Sequence, residues 1–214
     1  MRKNFGTKSW FYTLSVPTMQ VISGAFDTLS HAMETYFGQS DEDNVSDDAA
    51  LAIMRNTVRN MRRLLVDPKD VQAHGNLMWD SAMAENGILK VGRLTDFQTH
   101  QIEHQLGAYT DCNHGQGLAV IHPAYYRHIV GDAKEKFTRF AREVFGADTA
   151  EDGIEALAAL IRECGLPTKM GQLRSKVEIT PEVLRKVADT CNIIRCNPRE
   201  LSRDEIYDIL LECL

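Results

Sequence analysis

Several things are missing from this sequence, and each absence removes a class of protein. No apolar run reaches the roughly 18 residues needed to span a membrane. The N-terminus MRKNFGTKSW is basic but has no apolar stretch behind it, so it is not a secretory leader. There is no excess of positive charge: the net charge of −6 argues against a nucleic-acid-binding face. The five cysteines, Cys112, Cys164, Cys191, Cys196 and Cys213, are scattered and form no CxxC pair. That usage points to a reducing, cytoplasmic setting rather than a disulfide framework. The only GxG, at Gly115–Gly117, lacks a preceding strand and a third glycine, so it is not a dinucleotide fingerprint. No His-Asp dipeptide occurs, which removes the helical hydrolases that rely on one. Internal repeats, low-complexity segments and βαβ alternation are also absent.

What remains is a chain of ordinary globular composition, 43% apolar and 25% charged, long enough to bury a full core. Apolar residues recur at helical spacing almost throughout. Met19, Ile22, Phe26, Leu29, Met33 and Tyr36 predict a helix over 18–37 that stops at Gly38. The acidic loop 39–48 leads through Ser46 and two aspartates into a helix over 47–66, with Leu51, Met54, Val58, Met61 and Leu65 on one face. A third helix is expected over 69–91, interrupted at Gly75 and Gly87, with Leu77, Met78, Met83 and Ile88 inward. A fourth covers 95–108 and ends at Gly107, and another starts near His114. Further helices are expected over 133–146, 150–164, 181–190 and 203–213, the last opening on a capping box at Ser202. Residues 118–122 are short enough to be read as strand or helix. The fold class is all-α, a bundle of antiparallel helices.

Histidine is concentrated in one place. His100, His104, His114 and His122 all fall within Asp96–Pro123, and a second stretch upstream carries Asp27 and His31. Asp27 and His31 are four apart, as are His100 and His104, so each pair shares one helix face. Either pair alone is most simply a solvated surface. Here, however, Asp27 sits between Phe26 and Leu29, and His31 lies beside Met33, on a strongly apolar helix. A charge buried there needs a partner or an ion. One carboxylate with two or three imidazoles is a nitrogen and oxygen donor set suited to Zn²⁺ or Fe²⁺. Pattern alone does not rank His100 against His104. His74 reads as structural, His122 and His128 as packing groups, and Cys112 as a bystander near His114.

Three motifs carry a resemblance: GAFDTLSHAMETYF at 24–37, NLMWDSAMAENG at 76–87 and THQIEHQLGAYTDCNHGQGLAVIHP at 99–123. Together they resemble the C-terminal helical domain of the iron-containing (group III) alcohol dehydrogenases, in the butanol-dehydrogenase-like branch. The resemblance implies a dehydroquinate-synthase-like helical fold. It further implies Asp27, His31, His100 and His114 as metal ligands, and His104 as a catalytic residue on the substrate side. The implied cofactors are a divalent metal, Fe²⁺ or Zn²⁺, and NAD(P)H in the full-length enzyme, with a small alcohol or aldehyde as substrate. No cofactor-binding residue is assigned.

The same resemblance makes residues 1–17 a junction segment and 18–214 the helical metal-binding catalytic domain. The family's N-terminal dinucleotide-binding domain is expected to be absent. On that reading the chain alone binds metal, turns over little or no alcohol, and leaves an apolar face around Trp10–Leu14 available for self-association. The alternative is a non-catalytic metal-binding helical domain.

Overall fold

The computed structural model describes residues 10–38, 44–195 and 198–214. The first nine residues of the junction segment, residues 39–43 of the acidic loop, Cys196 and Asn197 lie outside the described residues. Every regular element among the described residues is helical, as the apolar spacing predicts. The helices are α1 (Trp10–Thr13), α2 (Thr18–Tyr36), α3 (Val45–Val66), α4 (Val71–Glu85), α5 (Gln98–Thr110), α6 (His114–Ile129), α7 (Lys134–Phe140), α8 (Ala150–Glu163), α9 (Pro181–Thr190) and α10 (Arg203–Glu212).

α2 is the centre of the packing. It starts behind Pro17 and buries Ile22, Phe26, Leu29, Met33 and Tyr36, but also Ser23, Thr28, Ser30, Glu34 and Thr35. A helix buried nearly all round must be enclosed by others, and α3, α4 and α6 pack against it. Met19, expected on the inner face, is 41% exposed in the first turn. α5 lies against α6 and α9, while α8 and α10 cover the outer side of α6. Phe37, Tyr126, Phe137 and Phe140 form an aromatic cluster at the α2 C-terminus, which His122 meets through Tyr126.

Helix ends depart from expectation where a side chain or a left-handed residue intervenes. α3 is capped by Asn44 rather than Ser46, in a capping box with Asp47. Its inner face uses Leu64, leaving Leu65 outside. α4 begins behind the Asp70 cap, runs through Gly75 without a break, and stops at Asn86 before Gly87 (φ 88°). That early stop leaves Ile88 exposed, and Met78 also faces outward. α5 runs through Gly107 to end at Asp111, a left-handed residue with φ 56°. Residues 118–122 are helix, not strand, in the middle of α6, and Pro123 is accommodated inside it. The 133–146 helix is regular only to Phe140, after which the ladder widens to i→i+5 bonding over Ala141–Phe145.

Two features bring the histidine-bearing helices together. A Cβ on Gly115 would stand 2.1 Å from the Ser23 carbonyl oxygen, so glycine is what allows the start of α6 to press on α2. The α4–α5 connection is tied down by Arg93, fully buried in an ion pair with Asp47, and by the Asp96 N–H donating to the Glu34 carbonyl at 2.9 Å. No helix among the described residues is long and apolar enough to cross a membrane.

Candidate metal centre

α2, α5 and α6 deliver four side chains to one point. Asp27 Oδ1 lies 3.6 Å from His31 Nε2, 3.3 Å from His100 Nε2 and 3.5 Å from His114 Nε2. Two donor atoms each about 2.1 Å from a tetrahedrally coordinated ion stand about 3.4 Å apart, so each of these three spacings suits two ligands of one cation. Asp27, His31 and His100 offer atoms all within 4.8 Å of one another, while His114 forms a second such group with Glu103 and His104 and meets the first through Asp27. Asp27 Oδ1 and His100 Nε2 are buried without a hydrogen-bond partner, an arrangement that is costly unless something else engages them. The set of one carboxylate and three imidazoles therefore fits a small divalent ion by donor chemistry, and Asp27, His31 and His100 fit it by mutual spacing as well.

His104 sits differently. It is exposed on the outer side of α5, and its ring stacks on His114 with centroids 5.2 Å apart. It is not among the atoms gathered at Asp27. Of the two histidines of α5, the structure thus brings His100 to the cluster and leaves His104 at its open edge. The remaining histidines are accounted for otherwise. His74 bonds Thr13 Oγ1 at 2.9 Å and the Pro68 carbonyl at 3.0 Å, joining α1 to α4. His122 is buried against Ser30 Oγ at 2.6 Å, and His128 pairs with Glu205. Cys112, Cys164, Cys191 and Cys213 are free thiols.

The electrostatics follow from the crowding. Burial opposes ionisation of Asp27, but the imidazoles of His100 and His114 facing it outweigh burial and hold its carboxyl far below the usual range. Burial likewise opposes a charge on His100, yet Glu34 and Asp27 push its imidazole up to about 9. His114 is raised to about 10 against burial by Asp27 and Glu103. His31 and His104 move the other way, because burial and neighbouring imidazoles disfavour their protonation. Without an ion, the protonated imidazoles of His100 and His114 face the carboxylates of Asp27, Glu34 and Glu103; a bound cation would displace the protons that face Asp27.

The profile described as "Fe-containing alcohol dehydrogenase family, C-terminal" matches residues 21–214. The chain belongs to this family. It is 31% identical over 207 residues to NADH-dependent butanol dehydrogenase A of Clostridium acetobutylicum, covering 91% of this chain and 53% of that protein. NADPH-dependent aldehyde reductase YqhD of Escherichia coli is 26% identical, with 83% of this chain and 48% of that protein covered. Among solved structures, NADH-dependent butanol dehydrogenase A of Thermotoga maritima superposes with a TM-score of 0.84 at 29% identity, covering 94% of this chain and 53% of that one. The chain thus spans about half the length of these relatives, and corresponds to the C-terminal helical part of an iron-containing alcohol dehydrogenase.

Several residues around the centre escape the histidine pattern. Glu34 Oε2 accepts from His100 Nδ1, and Glu103 Oε2 accepts from His114 Nδ1; both carboxylates are buried. Phe97, held at φ 56° in the left-handed region, sets its ring against His31 and His100 at 5.3 and 5.0 Å between centroids. A side-chain-bearing residue is strained there, so its surroundings must hold it in place. Behind Glu34, Tyr125 donates to both oxygens of buried Asp96, whose carboxyl is raised by burial and by Glu34. The two glutamates each lie three residues after a histidine, in METYF and HQIEH, but a glutamate on a helix reads as solvated and nothing in the spacing singles them out.

Proposed function

We propose that residues 18–214 form the metal-binding half of an alcohol dehydrogenase that interconverts primary alcohols and aldehydes with NAD(P)(H). In this reading Asp27, His31, His100 and His114 are the ligands of a divalent ion, Fe²⁺ or Zn²⁺. The observation that carries it is Asp27 Oδ1 standing 3.3–3.6 Å from three imidazole Nε2 atoms. When bound, the ion supplies Lewis acidity toward an alcohol or aldehyde oxygen, and the nicotinamide gives or takes the hydride. The protein's own contribution is positional. α2 holds Asp27 and His31 one turn apart, and α5 and α6 close His100 and His114 over them. Phe97 and the buried wall behind His100 keep water from that side. His104, at the open edge and biased toward its neutral form, is placed to exchange a proton with the substrate oxygen.

The family resemblance assigns the dinucleotide to a separate domain, with residues 1–17 as the junction segment. The 214 residues alone are accordingly expected to bind metal but to bind NAD(P)H poorly and reduce aldehydes slowly at best. Free thiols and a negative net charge fit a cytoplasmic setting. The second reading is a metal-binding helical domain with no catalysis. Elemental analysis of the purified chain tests the ligand assignment. About one Fe²⁺ or Zn²⁺ per chain is expected, with strong loss in His100→Ala and His114→Ala, whereas unchanged metal in both variants removes it. Robust steady-state aldehyde reduction by the same preparation would contradict the assignment of the cofactor to another domain.

A further inference from the structure

We infer that Glu34 and Glu103 are positioning residues of this centre, each locking one imidazole so that its Nε2 lone pair faces Asp27. The inference rests on the ligand reading above. Its grounds are that Glu34 and Glu103 hold the inner nitrogens of His100 and His114, and that their side chains are 0% and 2% exposed. A neutral imidazole carries one ring proton, and a carboxylate behind Nδ1 keeps it there, leaving Nε2 as the donor atom. The surroundings are built to keep each carboxylate in place. Glu34 Oε1 also accepts the Thr99 N–H at 2.7 Å, so both of its oxygens are engaged from α5 and its N-terminal turn. Glu103 occupies the space left by a missing side chain: a Cβ on Gly117 would stand 2.6 Å from its Oε1. Its other neighbour is the Cys112 thiol, 3.8 Å from Oε1. His31 has no such brace, since its Nδ1 is buried without a partner.

The two glutamates differ in a way that orders their variants. Glutamine has one acceptor oxygen, so Glu34→Gln must give up either His100 or Thr99. Glu103→Gln can keep its bond to His114 and turn its amide toward Cys112, so it is the milder change. Zinc affinity measured by chelator competition on the full 214-residue chain is expected to fall about 10–100-fold in Glu34→Gln, and in Glu103→Ala, with Glu103→Gln nearer wild type. The readout that separates positioning from general destabilisation is ¹⁵N NMR of the zinc-loaded histidines. Glu34→Gln should alter the Nδ1 proton of His100 alone, and Glu103→Ala that of His114 alone. Wild-type zinc affinity in both Glu34→Gln and Glu103→Ala would overturn the inference while leaving the ligand set standing. Equal perturbation of both histidines by either variant would also overturn it. A wild-type chain that binds no zinc would overturn the ligand reading itself.

Discussion

Two histidine helices share one spacing and come to different ends. On α2, Asp27 and His31 both turn to the centre; on α5, His100 is buried there and His104 remains exposed. The i,i+4 relation puts two residues on one face, but a face is wide and the neighbours decide which part of it is covered. α2 is enclosed by three helices, so its polar stripe has nowhere to face but the site. α5 packs on α6 and α9 and meets α2 through His100, and His104 falls at the margin. Identical spacing therefore yields two site groups in one helix, and one site group with one edge group in the other.

The largest way to test that contrast is His100→Ala. It removes a proposed ligand and leaves Glu34 buried with its carboxylate bereft of its imidazole partner. Loss of one member of a buried pair costs about 3–5 kcal/mol, so a large drop in the denaturant midpoint of the metal-free protein is expected along with loss of metal.

pH comes next. In the metal-free protein His100 and His114 are raised to about 9 and about 10, above their ordinary value. A raised imidazole stabilises the fold below its unfolded pKa, and that stability is lost as pH climbs through the folded value. Metal must displace both protons, so zinc affinity should run the opposite way and rise steeply from pH 7 to 9, approaching about a hundredfold per pH unit. Calorimetric titration across that range checks it, and a pH-independent affinity would mean that the two imidazoles are not ligands.

Gly115→Ala is expected to cost about 1–3 kcal/mol by overpacking the α2–α6 contact, and to weaken metal binding because Asp27 and His114 lie on the helices forced apart. Thermal unfolding with and without zinc separates the two effects. The smallest change is expected from His104→Ala. As an exposed substitution it should move stability by no more than about 0.5 kcal/mol and leave metal content at the wild-type level. Metal loss comparable to that of His100→Ala would erase the distinction between the two histidines of α5.

Much of this was legible in the sequence because helical periodicity is a local property. Ile22 through Tyr36 marks α2, and the capping box at Ser202 marks the start of α10 within a residue. Boundaries set by single backbone conformations were not legible. Nothing about the types of Phe97 or Asp111 announces a left-handed residue, and Gly107, which looks like a stop, lies inside a helix that continues to Thr110. The four residues at the centre could be named, but not their order of burial, and the rank of His100 over His104 came from family resemblance rather than spacing. Glu34 and Glu103 show the remaining limit. A glutamate at helical spacing reads as solvated until the opposing helix is known, and here that helix supplies the imidazole that makes its burial tolerable.

The account stands most directly on the identity of the atoms around the ion. X-ray absorption spectroscopy of the zinc-loaded 214-residue chain measures them. The prediction is a first shell of nitrogen and oxygen only, at about 2.0–2.1 Å, with outer-shell scattering from three imidazoles. A sulfur contribution at about 2.3 Å, which would bring in Cys112, or scattering from fewer than two imidazoles, would contradict it.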